Sequence, residues 1–245
     1  MLDLHRLDPN PDSLMHFRHS DDIWTSFPEL APGVLRNDGI TSTASVSSAV
    51  EAFQATARAR LAGGSESELP EIGAWRRVFS RMGLKPTQYR CASEALLRRF
   101  RKENALPQIH PLIDLCNAVS LAFAIPVAVF DLAKVDGDLT VRHAAGNESY
   151  LAFSGEIEHP EPREVIFADA AANAHARRWT NRQSALSAVR AETATVLIVA
   201  EAMHETAMAD VERLIASLRQ AIVTAWPAAA PRSVLLSQAA PSFEC

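Results

Sequence analysis

Residues Leu106 to Asp131, LPQIHPLIDLCNAVSLAFAIPVAVFD, constrain this chain more than any other stretch. Pro111 opens a helix, because a proline at the first helical position gives up an N–H that has no intrahelical partner there. Leu112, Leu115, Cys116, Val119 and Phe123 recur at helical spacing and form one apolar stripe, whereas Ile113 and Leu121 lie off it. The spacing therefore predicts a core helix with protein on both sides, followed by a buried strand that ends at Asp131. Asp114 and Asn117, three residues apart, share the second face and are expected to be buried, where an unpaired carboxylate is costly. Either they satisfy backbone groups of the preceding loop and pin the chain, or they shape a polar pocket.

Helices precede this segment and strands follow it. Val50, Phe53, Ala57 and Leu61 mark an amphipathic helix opened at Ser47 or Ser48 and closed by Gly63-Gly64. Ile72, Trp75, Val78, Phe79 and Met82 mark a second, from Pro70 to Gly83, and a third follows Ser93. Beyond Asp131 the pattern alternates, with short strands near 139–141, 150–153, 164–168 and 196–199 and turn residues between them. Met208, Val211, Leu214, Ile215, Leu218 and Ile222 then form a long C-terminal helix. This order predicts an α+β fold, with a central mixed or antiparallel β structure flanked by helices, rather than a regular βαβ wind. Residues 1–45 read as a partly ordered N-terminal extension, in which 23–35 supplies an edge strand; 46–226 read as a single domain, and 227–245 as a flexible tail rich in alanine, proline and serine.

The formal charge of −5 hides an asymmetry. From Arg76 to Lys102 nine basic residues face the single acid Glu94, so this stretch carries +8 and the remainder −13. Solvated helix faces account for most such clusters, but Arg90, Arg98, Arg99, Arg101 and Lys102 are the candidates for contact with a nucleic-acid backbone, since phosphate contacts dominate that affinity. Cys91, Cys116 and Cys245 show no CxxC pair and no metal-ligand spacing, so neither a metal nor a cofactor is expected and a reduced cytoplasm fits best. No apolar run reaches a membrane span.

The run Ile113-Asp114-Leu115-Cys116-Asn117, with Pro126 and Phe130-Asp131 after it, resembles the V-D-x-T-N … Q-P-x-H-A-F-D signature of the tRNA-editing B3/B4 domain of the phenylalanyl-tRNA synthetase beta subunit. Free-standing single-domain relatives are more similar still. Met82-Gly83, Pro86, Tyr89-Arg90, Ser93 and Glu94-Ala95-Leu96-Leu97-Arg98-Arg99 match the family's segment before the core, and Asp131 to Gly137, Val165 to Asp169 and Arg178-Trp179 continue the likeness. Two departures stand out. Ala128 occupies the position of the family histidine, and Arg182-Gln183 fall where the synthetase domain has a glycine-glycine-glutamate turn.

The resemblance implies a B3/B4 fold and a module acting in trans, which binds an aminoacylated tRNA end and hydrolyses the ester of a wrong amino acid. It makes Asp114, Asn117, Ala128, Trp179, Asn181, Arg182 and Gln183 the candidate pocket residues, expected around a single cavity, and tRNA or aminoacyl-tRNA the partner. A non-catalytic RNA binder and a protein that binds a free amino acid or small metabolite are the alternatives on the same fold. The sequence offers no Ser/His/Asp or Cys/His constellation; His110, beside the core helix, is the nearest candidate base, unless it only decorates the loop. Catalytic residues and oligomeric state are not specified.

Overall fold

The computed structural model describes residues 15–245. In chain order its elements are strand β1 (His16–His19), helix α1 (Asp21–Ser26), β2 (Ala31–Asp38), α2 (Ser47–Leu61), α3 (Pro70–Arg81), α4 (Ala92–Glu103), α5 (Pro111–Phe123) and β3 (Val127–Asp131). Then come β4 (Leu139–His143), β5 (Tyr150–Leu151), β6 (Ile157–Glu158), β7 (Val165–Ala168), β8 (Ala174–Arg177), β9 (Arg182–Gln183), β10 (Thr195–Ala202), α6 (Ala207–Ala225), β11 (Arg232–Leu235) and β12 (Ser242–Glu244). A six-stranded sheet runs β12-β1-β4-β7-β8-β9 and a four-stranded sheet runs β11-β2-β10-β3, with β5 and β6 as a separate hairpin. Among the strands of the described residues only β1 and β4 pair in parallel; the other pairs are antiparallel. This is the α+β class that the sequence pattern predicts.

The four-stranded sheet separates two cores. On one side Phe130, Leu197 and Val199 pack with Phe17, Val141 and Phe167 of the six-stranded sheet, and the Phe130 and Phe167 rings lie 5.2 Å apart. On the other side Leu35, Val129, Ile198 and Ala200 meet Leu115 and Val119 of α5 and Val211, Leu214 and Leu218 of α6. Alternation along β10 sorts its side chains between these faces, odd-numbered residues toward the other sheet and even-numbered ones toward the helices. Gly33 lets α6 approach β2: a Cβ there would lie 2.6 Å from side-chain carbons of Val211 and Ile215.

The helices begin and end as their sequences direct. Pro70 and Pro111 stand in the first turns of α3 and α5. His110 caps α5, its Nδ1 accepting from the Leu112 N–H at 3.2 Å, and Ala124, at φ 57°, ends it in the left-handed conformation. The α2 and α4 starts differ in detail: Val46 and Cys91, not Ser47 or Ser93, occupy the capping positions, with no side-chain cap bond.

Both terminal segments depart from expectation. Strand β2 is an interior strand between β11 and β10, not an edge, and Pro32 is tolerated near its start. The tail expected from residue 227 instead supplies β11, paired with β2, and β12, paired with β1. Composition argues for a flexible tail, but two sheet edges need hydrogen-bonding partners and these segments provide them. The first fourteen residues lie outside the described ones. Among the described residues no helix is long and apolar enough to cross a membrane.

Candidate functional site

Between the two sheets lies a pocket with a volume of about 60 Å³. Pro126, Val127 and Ala128 of β3 and its approach, Phe167 of β7, Ala176 of β8 and Val199 of β10 give it apolar walls; Trp179 to Gln183 form one rim. Five of the seven candidate pocket residues therefore meet here: Ala128, Trp179, Asn181, Arg182 and Gln183.

Asp114 and Asn117 do not. They line a different cavity of about 460 Å³ against α2 and the 105–108 loop. The four-stranded sheet stands between the two, because α5 packs on its helical side while the pocket opens on its other face. Both residues are half-buried rather than buried, and Asp114 Oδ1 accepts the Ile109 N–H at 2.8 Å. Pinning the loop is its observed role, and the expected single cavity is corrected accordingly. His110 is likewise a helix cap, and burial lowers its pKa.

The β8–β9 turn owes its shape to a buried ion-pair cluster. Arg178 and Trp179 both adopt left-handed backbone, at φ 47° and 58°, a conformation that side chains rarely enter without compensation. The Glu164 carboxylate supplies it, accepting from the Arg178 N–H at 2.8 Å and from Arg177 Nε and Nη2 at 2.9 Å each. Trp179 N–H bonds Val165 O at 2.7 Å, and Asn181 Nδ2 donates to Arg90 O at 2.7 Å, tying the turn to the approach of α4. Arg182 is not free for a ligand. Its two terminal nitrogens grip Glu158 at 2.8 and 3.0 Å, and its guanidinium lies over the Tyr150 ring at 5.1 Å. Gln183 Nε2 donates to Val129 O, closing the rim against β3.

The chemically distinctive group in the pocket is Glu201, only 2% exposed. Its Oε1 accepts from Trp179 Nε1 at 3.0 Å and from His19 Nε2 at 2.7 Å. A carboxylate can only accept, so His19 carries its proton on Nε2. Among the described residues no donor meets Oε2. Thr180, also lining the pocket, has a buried hydroxyl without a partner among the described residues. A fixed carboxylate, an unpaired hydroxyl and apolar walls suit a small organic cation better than an anion. Sequence reasoning stopped at Val199. The missed signal was the two-residue alternation, which carries an acid into an otherwise apolar buried face at Glu201.

A second unforeseen arrangement is Asp169–His175–Ser187. Asp169 Oδ2 lies 3.1 Å from His175 Nε2, and His175 Nδ1 lies 2.9 Å from Ser187 Oγ. This reproduces the composition of a hydrolase triad, yet His175 and Ser187 are fully buried and none of the three lines the pocket. It is a structural network. Burial pushes the Asp169 carboxyl up, but bonds from His175, Asn173 and the Asp136 N–H outweigh it and hold it down to about 2. Burial likewise opposes ionisation of Glu148, which backbone N–H groups at Ala145 and Gly146 and the Arg142 guanidinium hold to about 2. Both values are depressed, so both contributions to stability are complete above the ordinary carboxylate range and vanish as pH falls toward 2. After allowance for solvent screening, each is expected to remove about 1–2 kcal/mol between about pH 4.5 and 2. Urea midpoints measured across that range check this, and Asp169→Asn should flatten the profile.

The basic candidates are mostly engaged within the protein. Arg98 and Arg101 hold the buried carboxylate of Glu66 at 3.2 and 3.1 Å, and Arg99 pairs with Glu103 at 2.9 Å. Arg90 donates to Thr87 O at 2.8 Å and stands 3.4 Å from buried Glu94, which also binds Arg76. Arg98, Arg99, Arg101 and Lys102 remain exposed on α4, whereas Arg90 serves the fold. The three cysteines are free and buried; burial pushes the Cys91 and Cys245 thiols up to about 11, too high for a nucleophilic thiolate.

Comparison with known proteins places these features in a family. The model of the B3/4 domain matches residues 74–221. The phenylalanine–tRNA ligase beta subunit of Chromobacterium violaceum is 35% identical over 75 residues, 31% of this chain and 10% of that protein. That of Nitrobacter winogradskyi is 39% identical over 64 residues, 26% of this chain and 8% of that protein. The chain thus matches about a tenth of the length of these relatives. An N-terminal fragment of the phenylalanyl-tRNA synthetase beta subunit from Pyrococcus horikoshii aligns with a TM-score of 0.47 and 8% identity, over 91% of this chain and 54% of that one. With the family model spanning α3 to α6 and so including both walls of the pocket, the chain belongs to the B3/4 domain family.

Proposed function

We propose that this chain is a cytoplasmic module that acts in trans on aminoacyl-tRNA, admitting the aminoacyl group to the pocket between the sheets and hydrolysing its ester bond. The observation that carries this reading is Glu201: a buried carboxylate, fixed at one oxygen by His19 and Trp179, whose other oxygen is left for the substrate's α-ammonium. Family membership and the curated relatives' role as tRNA ligase subunits support the tRNA part.

Water would add to the ester carbonyl, the acyl C–O bond would break, and the departing ribose oxygen would take up a proton, leaving a free amino acid and an uncharged tRNA end. Among the described residues the pocket lining holds Ala128 in place of the family histidine and no cysteine or lysine. Positioning of the ester, backbone donors and the neighbouring ribose hydroxyl therefore supply the catalysis.

Size restricts the side chain. A closed apolar cavity of about 150 Å³ takes up a benzene ring; the pocket, at about 60 Å³, is smaller and favours small side chains over an aromatic ring. The test is a deacylation panel with tRNAs charged with small, branched and aromatic amino acids. Turnover confined to the small acyl groups is expected; a panel as stable with protein as in buffer overturns the reading.

One observation favours a second reading. Arg98 and Arg101 of α4 already neutralise Glu66, and Arg76 of α3 neutralises Glu94, which lowers the field available to a phosphate backbone and suits a protein that binds a free amino acid. Thermal stabilisation by small amino acids, with no tRNA affinity at low salt, would decide for it.

A further inference from the structure

Away from the pocket, Glu71 on α3, His204 in the β10–α6 loop and Asp210 on α6 bring one potential ligand atom each to within 4.8 Å of one another, all buried. Their bonding is lopsided. Glu71 Oε1 accepts from Arg60 Nη2 at 2.7 Å, while Oε2 is buried with no partner among the described residues. Asp210 is saturated: Oδ1 takes the Arg213 guanidinium, and Oδ2 takes the Thr206 hydroxyl at 2.6 Å and His204 Nε2 at 2.8 Å. A carboxylate bonded in this way accepts, so His204 donates through Nε2 and its Nδ1 is left as a bare lone pair. That atom too is buried and has no partner among the described residues. The His204 side chain is 3% exposed and that of Glu71 9%.

Two uncompensated acceptors in one buried cluster require a donor or a cation. A histidine whose far nitrogen is held by a carboxylate is the arrangement that orients imidazole toward a metal and raises its basicity. We propose that Glu71, His204 and Asp210 form a binding site for a divalent transition-metal ion of the zinc class, with His204 Nδ1 and Glu71 as direct ligands and Asp210 orienting the imidazole. The nitrogen–oxygen donor set suits such an ion. Arg60 and Arg213 hold the outward carboxylate oxygens, and their positive charge keeps the affinity moderate. A cleft of about 670 Å³, lined by Glu71, Asp210 and both arginines, gives the ion entry and room for water ligands.

The position gives the ion a consequence. Trp75, one turn along α3 from Glu71, donates from Nε1 to Glu201 O at 3.2 Å, and His204 follows Glu201 by three residues. The ion would tie α3 to the end of β10 that carries the pocket carboxylate. The absence of metal-ligand spacing in the sequence pointed the other way, because these three residues come from separate elements.

The test uses the untagged full chain stripped with a chelator. Titration with Co²⁺ should give visible d–d bands that saturate at one equivalent and disappear on adding Zn²⁺. Excess Zn²⁺ should raise Tm by at least about 3 °C. Glu71→Gln and His204→Ala should each weaken Co²⁺ binding at least tenfold, while His16→Ala, a half-exposed imidazole elsewhere, should not. X-ray absorption of the zinc-loaded wild-type protein should show nitrogen and oxygen ligands with one imidazole, whether or not the variants fold. Absent bands, bands unchanged in both variants, or sulfur ligation would overturn the assignment; absent bands would mean that water satisfies the two acceptors.

Discussion

Glu164→Ala is expected to destabilise the protein by about 3–5 kcal/mol, the range for breaking a buried ion pair from one side. The side chain of Arg177 is only 4% exposed and that of Glu164 6%. Removing the carboxylate strips Arg177 of two charge-assisted bonds and frees the Arg178 N–H, so the left-handed turn loses its tether as well. Glu158→Ala should cost much less. Glu158 is 31% exposed, and Arg177 would keep its paired contact with Glu164. Urea unfolding followed by circular dichroism measures both. A Glu164→Ala loss below about 1 kcal/mol would mean that water reaches Arg177 and that the cluster does not hold the turn.

Glu201→Gln is expected to cut kcat/KM for deacylation, or the affinity for a free amino acid on the second reading, by about 30- to 1000-fold. The change keeps shape and removes charge, so it deletes a charge-assisted bond to the substrate ammonium. The structural cost is separable. The amide oxygen can still accept from His19 and Trp179, and Tm should fall by only a few degrees. His19→Ala gives a diagnostic contrast. His19 does not line the pocket, yet its loss removes one of the two bonds on Oε1 and leaves the carboxylate held by Trp179 alone, so KM should rise while the preference for small acyl groups is retained. If Glu201→Gln leaves turnover and binding within twofold of wild type, the ammonium does not sit on this carboxylate.

Local physics wrote part of this into the sequence and distance hid the rest. Helix α5 was legible because Pro111 and the 3–4 spacing of its apolar residues act within one element, and Asp114 was legible as a loop anchor because its partner Ile109 is five residues away. The cluster from Ala128 to Gln183 was legible only through family resemblance. Its floor was not: His19 and Glu201 are 182 residues apart, and neither carries a local signal that names the other. Arg182 shows the opposite failure. Its type and position suggest a ligand-binding cation, but Glu158, on a hairpin too short to recognise by periodicity, claims both terminal nitrogens. The C-terminal strands were obscured by composition. Four residues, Arg232–Leu235, suffice for an edge strand when a neighbouring backbone offers its ladder.

The pairing of β12 with β1 and of β11 with β2 has a bearing on synthesis. Residues 16–18 and 33–36 are translated long before the segments that cover their free edges, residues 242–244 and 232–235. Until then the nascent chain displays two unzipped ladders to every neighbour on the polysome, a hazard for aggregation that high contact order prolongs. Cys245 N–H closes the circuit on Met15 O at 2.7 Å, so the six-stranded sheet gains this last rung only once some of the most distant segments of the fold have met.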